Sequence, residues 1–182
     1  MTGATSFERG GIRSLAVLGA ATLLLQLPRL AVADALSTTQ ATLLDRILIE
    51  DLMVDYYTIL SARDRHDISA FFAEDAVLEA NDLVLRGRDA IQNLYDTGKD
   101  PRLLAGSVHN MLLGNPRVTI DGDTATLDAI WTLIISDNVK STPRILEQGS
   151  EHTEFVKRNG RWLITKRAIV SQGGMPEILE LN

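Results

Sequence analysis

The chain has 182 residues, 45% of them hydrophobic, a formal charge of −6 and no cysteine. That is enough apolar material for one domain with a real core, and too much for a disordered chain. The acidic balance argues against a nucleic-acid partner, and the lack of thiols excludes disulfides, thiol nucleophiles and thiolate metal sites.

Arg9 and Arg13 precede an apolar run from Ser14 to Leu27, which Ala31-Val32-Ala33 follows. This is the layout of a secretory signal peptide, and the run is shorter than the ~20 residues of a membrane span. Residues 1–33 are therefore expected to be a signal cleaved near Ala33, giving a secreted or periplasmic protein with no stable membrane anchor after cleavage. An uncleaved anchor or an unfolded extension is the alternative. Cleavage removes three arginines against one glutamate, so the formal charge falls from −6 to −8.

The expected domain spans residues 34–172. Ser37, Thr38 or Thr39 can cap a helix in which Leu44, Leu48, Leu52 and Tyr56 recur every fourth position, running to about Ala62. Near its end Val54, Tyr57, Ser61 and Asp64 step by three or four and share a face. Asp67 stands directly before a second helix, Ile68 to about Phe72, and is the better N-cap for it. Asp64 is then either a second cap or an acid/base group facing a pocket.

Val77-Leu78-Glu79-Ala80 and Leu83-Val84-Leu85 read as a hairpin around Asn81-Asp82, which Gly87 ends. Arg88 to Tyr95 is a third helix, and Thr97 to Arg102 is a loop. From there the period alternates. Strands fit Ser107 to Leu113, Arg117 to Ile120, Thr124 to Ser136, Ile145 to Lys157 and Arg161 to Ser171, with turns at Asp121-Gly122 and Asn159-Gly160. Helices followed by an antiparallel meander make an α+β domain. Residues 173–182 carry Gly-Gly and Pro176 and read as a surface tail. Apolar residues of both parities on Thr124 to Ser136 predict an outer sheet face that meets a partner, so a homo-oligomer is expected.

Three histidines can be weighed singly. His66 sits among charges in a turn, and His152 reads as an exposed cross-strand partner. His109 shares a strand face with Ser107, Met111 and Leu113. It is either a buried structural histidine or, facing a carboxylate such as Asp64, a base that works near neutral pH. No H-x-x-x-H spacing, Gly-rich phosphate loop or G-x-S-x-G elbow is present, so neither metal nor cofactor is expected. The clustered basic residues, Lys157-Arg158 and Lys166-Arg167, flank the Asn159-Gly160 turn without interleaved aromatics.

The words LLDRILIEDL with Tyr56, Asp64 with Asp67, FFAEDA at Phe71 to Ala76, LRGRDAI at Leu85 to Ile91, VHN at Val108 to Asn110, DGDTA at Asp121 to Ala125 and NGRWLI at Asn159 to Ile164 together resemble the SnoaL-like branch of the nuclear transport factor 2-like superfamily. The resemblance covers about Leu43 to Gln172. It implies a cone in which three N-terminal helices pack inside a curved antiparallel sheet around an apolar pocket. The pattern is similar to cofactor-free lyases of that superfamily: hexachlorocyclohexane dehydrochlorinase, scytalone dehydratase and bile acid 7α-dehydratase. It implies an aspartate–histidine pair at Asp64 and His109 and an arginine at Arg167, acting on a small apolar, cyclic substrate without cofactor. The lysine or tyrosine found five residues before the aspartate in such enzymes is Ile59 here, and Tyr57 offers a hydroxyl instead. The other reading is a non-catalytic ligand-binding or dimerisation module of the same fold.

Overall fold

In the computed structural model, which describes residues 39–61, 68–97 and 106–172, the first helix, α1 (Gln40–Ser61), is capped by Thr39. The Thr39 hydroxyl accepts the Thr42 N–H at 3.3 Å, and the Thr39 N–H donates to the Thr42 hydroxyl at 3.1 Å. This reciprocal pair is a capping box built from two threonines. The other two candidate caps, Ser37 and Thr38, lie outside the described residues, as do the whole proposed signal, Ala62, Asp64, His66, Asp67 and the tail.

The buried stripe of α1 is Ile49, Met53, Tyr56 and Tyr57. This corrects the expected face, because Leu44 and Leu48 are exposed at 65% and 40%. The reason is geometric. On a helix of 3.6 residues per turn a repeat of four drifts by about 40° per step, so Leu44 stands about 120° from Tyr56. Val54 is exposed as well and does not belong with Tyr57 and Ser61.

The second expected helix is a single 3-10 turn, Ile68–Phe71, and Phe72 already begins a strand. The Ser69 N–H of that turn donates to Gln92 Oε1 at 2.7 Å, which ties it to the helix α2 (Arg88–Thr97). Strands β1 (Phe72–Ala80) and β2 (Leu83–Arg86) form the expected hairpin, with Asn81 at φ 50° in its turn. Then come β3 (Val108–Asp121), β4 (Thr124–Ser136), β5 (Arg144–Arg158) and β6 (Arg161–Ser171). The β5–β6 turn holds Asn159 and Gly160 at φ 53° and 76°, as the sequence predicts.

The six strands lie in the order β2-β1-β6-β5-β4-β3. The meander β3 to β6 is antiparallel, but β1 runs parallel to β6, so the sheet is mixed. No hairpin joins β1 to β6, and so no tight turn dictates their relative direction.

β4 is the spine of this sheet. Ala125, Leu127, Ala129, Trp131, Leu133 and Ile135 all point inward and are buried, while Ile130 faces out at 41% exposure. The meander accommodates curvature with bulges, between Gly114 and Arg117 on β3, near Leu133 and Ile134 where β5 takes an extra residue, and near Glu154 and Phe155 where β6 does. The first bulge explains why one strand looks like two in sequence. Asn115 adopts φ 50° and Pro116 withholds a donor, yet the pairing with β4 resumes beyond them.

Gly149, inside β5, marks a close approach. A Cβ there would come within 2.7 Å of the Trp131 ring and 2.0 Å of the Val170 carbonyl oxygen, so only glycine lets Trp131 lie across β5.

Helix and sheet are fastened at one end by Asp45. Its Oδ1 accepts from Lys157 Nζ at 2.6 Å and from Trp162 Nε1 at 3.0 Å, and Lys157 sits 5.6 Å from the Trp162 ring centre. The Lys157 hydrogen bond, against opposing burial, holds the carboxyl below its ordinary 3.8. A carboxyl depressed in the folded state stabilises fully above its unfolded pKa and loses that contribution as pH falls through the folded one. Asp45→Asn is expected to lower stability by about 1 kcal/mol at pH 7, the usual net value of such hydrogen bonds at partial exposure. Urea titrations at pH 7 and near pH 3 should find that gap narrowing in acid.

Candidate functional site

The inward side chains of the sheet form rows across the ladder. One row is Leu78, Arg167, Thr153, Leu127 and Val118. The next holds Ile169, Glu151 and Ala129, then Ser171, Gly149, Trp131 and Leu113, then Glu147, Leu133 and Met111, and last Ile135 with His109. An interior that is mostly aliphatic and aromatic thus carries polar groups at chosen heights.

The strongest of these is centred on Arg167, which is only 2% exposed. Its Nε and Nη2 both donate to Glu151 Oε2, at 2.7 and 2.5 Å, and Nη2 also donates to the Tyr57 hydroxyl at 2.7 Å. The guanidinium lies over the Tyr56 ring at 4.3 Å and 5.2 Å from the Tyr57 ring. Tyr56 passes the network on to Tyr95 of α2 through a 2.5 Å hydroxyl–hydroxyl contact. A buried cation is costly unless paired, and here a carboxylate one row away on the adjacent strand, with two aromatic faces, compensates it.

Charge states follow from this packing. Burial disfavours the charge on Arg167, but Glu151 and the tyrosines outweigh it and hold the guanidinium protonated. Burial pushes the Tyr57 hydroxyl far above its ordinary range; Arg167 pulls it back and Glu151 pushes it further up. Burial likewise raises Tyr56. Both phenols keep their protons at neutral pH, so Tyr57 is a hydrogen-bond donor there and not a base.

Of the sequence-derived site residues, Tyr57 and Arg167 are brought into direct contact. His109 stands on the same inner face, four rows further along, opposite buried Ile135. The two regions meet on α1. Ser61, one turn (~6 Å) after Tyr57, accepts the N–H of Met111, two residues from His109, on its hydroxyl at 2.8 Å. Asp64 lies outside the described residues. His152 is where it was expected, on the outer face with Nδ1 2.7 Å from Asp128 Oδ1 on the adjacent strand. Among the described residues no three His, Asp or Glu side chains are grouped to hold a metal ion, and no helix is long and apolar enough to cross a membrane.

Sequence reasoning missed Glu151, Thr153 and the Tyr56–Tyr95 pair. A signal for Glu151 existed: strand alternation that turns His152 outward must turn Glu151 inward.

A curved mixed sheet wrapped on α1, with an apolar interior that buries a few polar side chains, defines the nuclear transport factor 2-like class of α+β domains. Within it the chain belongs to the SnoaL-like domain family, whose model matches residues 41–168. No curated protein matches the sequence. Among solved structures it is similar to a Mycobacterium tuberculosis protein of unknown function, at 22% identity and TM-score 0.63 over 76% of this chain and 78% of that one. It is also similar to an NTF2-like protein with a cystatin-like fold from Novosphingobium aromaticivorans, at 25% identity and TM-score 0.62 over 78% and 92%. A third likeness is to ActVI-ORFA from Streptomyces coelicolor, at 16% identity and TM-score 0.60 over 71% and 98%. The SnoaL-like fold family includes cofactor-independent isomerases and dehydratases, and the wider fold generally binds small hydrophobic ligands.

Proposed function

We propose that the protein is an exported, cofactor-free lyase or isomerase of dehydratase type, acting on a small apolar, cyclic substrate. His109 removes a proton from carbon, and the electrons of that bond form the new double bond. Asp64 orients the imidazole and stabilises its cation. Tyr57 and Arg167 meet the oxygen that departs or enolises, where negative charge develops. The observation that carries this reading is the buried contact between Arg167 Nη2 and the Tyr57 hydroxyl, a pair of donors kept protonated inside an apolar interior. Covalent reach supports the remaining partner. Asp64 follows Ser61 by three residues in sequence, and Ser61 is docked on β3 through the Met111 N–H, two residues from His109. Export rests on the charged, apolar and small-residue layout of residues 1–33.

A turnover and thermal-shift screen with hydroxylated and halogenated cyclic compounds tests the reading. Elimination or double-bond migration without added cofactor is expected. A protein stabilised by such compounds that turns none of them over would favour the ligand-binding module.

Assembly belongs to the same proposal. Leu112, Ile130, Ile145 and Val170 interrupt an outer face that otherwise carries Asp128, His152 and Glu154. We expect a homodimer through this face, read by light scattering at micromolar concentration. A monomer there would defeat it.

A further inference from the structure

The Arg167–Glu151 pair uses only part of its hydrogen-bonding capacity. Three short contacts are made by Nε and Nη2, and both donations to Glu151 fall on Oε2. Among the described residues Arg167 Nη1 and Glu151 Oε1 are buried without any partner. Thr153 Oγ1, in the same row as Arg167, and Trp131 Nε1, one row beyond Glu151, are left in the same condition. Buried polar atoms are nearly always satisfied, so four orphans clustered on neighbouring inward positions are a departure that calls for a cause. They are out of reach of bulk water. An ordered internal water can fill them, and so can a polar group carried in on an otherwise apolar molecule that displaces it.

The chemistry of that group follows from what is missing. Nη1 supplies donors, Oε1 is an acceptor, and Thr153 can act either way. The charge on Arg167 is already balanced by Glu151. An entering carboxylate would therefore gain Nη1 but would face Oε1, a like charge in a poorly solvated interior. A ketone would fill Nη1 and leave Oε1 unmet. A neutral hydroxyl does both, accepting from Nη1 and donating to Oε1. We propose that Glu151 is a specificity residue of the site: with Arg167 it selects ligands bearing an uncharged hydroxyl and rejects the corresponding carboxylates. The inference rests on the reading that the inner face of the sheet receives a small ligand, and it deepens that reading by naming the ligand's polar group.

The probes are 2-naphthol, 2-naphthoate and naphthalene, which share one apolar skeleton and differ in the group offered. Equilibrium dialysis at pH 7 against the full chain reads the dissociation constants. The wild type is expected to bind 2-naphthol at least tenfold more tightly than 2-naphthoate, and Glu151→Gln to reverse that order by freeing the charge of Arg167. Should Glu151→Gln fail to fold, the double variant Glu151→Leu/Arg167→Met keeps the question open to test, and it should bind 2-naphthol no better than naphthalene. Equal or tighter binding of 2-naphthoate by the wild type, an unchanged order in Glu151→Gln, a double variant that still favours 2-naphthol, or no binding of 2-naphthol up to its solubility would each overturn the proposal. Binding alone is measured, so the outcome is separable from catalysis. The preference should survive in His109→Ala, whose turnover tests the lyase reading independently.

Discussion

His109→Ala and Asp64→Asn are each expected to lower turnover by roughly 10²- to 10⁴-fold, the usual worth of a positioned acid/base group, or about 3 to 6 kcal/mol of barrier. Tyr57 and Tyr56 are held protonated by burial, and Arg167 is held charged by Glu151, so none of them can take a proton from carbon at neutral pH. Histidine is the side chain whose ordinary pKa suits that task, and His109 is the one histidine on the inner face among the described residues. The substitution to asparagine keeps the shape of Asp64 and removes the charge that favours a protonated imidazole. The loss should fall on kcat more than on KM, with circular dichroism and thermal midpoint near wild type. An Asp64→Asn protein that unfolds yet retains full activity per folded molecule would make Asp64 a structural cap and leave His109 without the carboxylate that the lyase reading assigns to it.

The second large effect concerns stability. Arg167→Met is expected to cost about 3 to 5 kcal/mol, because it strands the Glu151 carboxylate in a buried site without its partner. Against a total stability of about 5 to 15 kcal/mol, that brings the chain close to unfolding. The double variant Arg167→Met/Glu151→Leu removes both charges and should recover most of the loss, since exchanging a buried pair for apolar groups of similar volume is often neutral. Urea denaturation of the wild type, both single variants and the double variant completes the cycle. If the single and double variants are equally destabilised, the pair is not a unit and the cost comes from packing over Tyr56 and Tyr57.

Much of the fold was readable because the local signals agreed. Thr124 to Ser136 and Arg161 to Ser171 are rich in apolar and β-branched residues and bounded by turn signals, and Asn159-Gly160 dictates the turn joining β5 to β6, so these elements were found where expected. Errors arose where two rules compete. Asn115-Pro116 carries the composition of a break, yet the ladder with β4 absorbs it as a bulge. The leucines of α1 recur at a spacing that suggests a core face, although the buried stripe is Ile49, Met53, Tyr56 and Tyr57. The parallel β1–β6 pairing is invisible locally, since nothing in either strand announces a partner some ninety residues away.

For the site, legibility depended on whether a residue's role is local. Tyr57 could be placed from helix spacing and Arg167 from resemblance, but their contact spans 110 residues of sequence. Glu151 needed the register of β5 on β6 before its meaning appeared. In sequence it is one acid among 24 Asp and Glu residues.

The parallel joint between β1 and β6 has a consequence for how the chain is made. β1 and β2 leave the ribosome early, yet the neighbour that closes their inner edge is the last strand of the domain. The hairpin must wait, half-paired, while β3, β4 and β5 are synthesised, and the loop closed when β6 arrives is among the longest the domain contains. Ring closures of this length slow folding and leave intermediates with open strand edges. Chains halted before Arg161 should therefore present β1 as an unsatisfied edge and aggregate, whereas β6 supplied as a separate peptide should bind such fragments by strand addition.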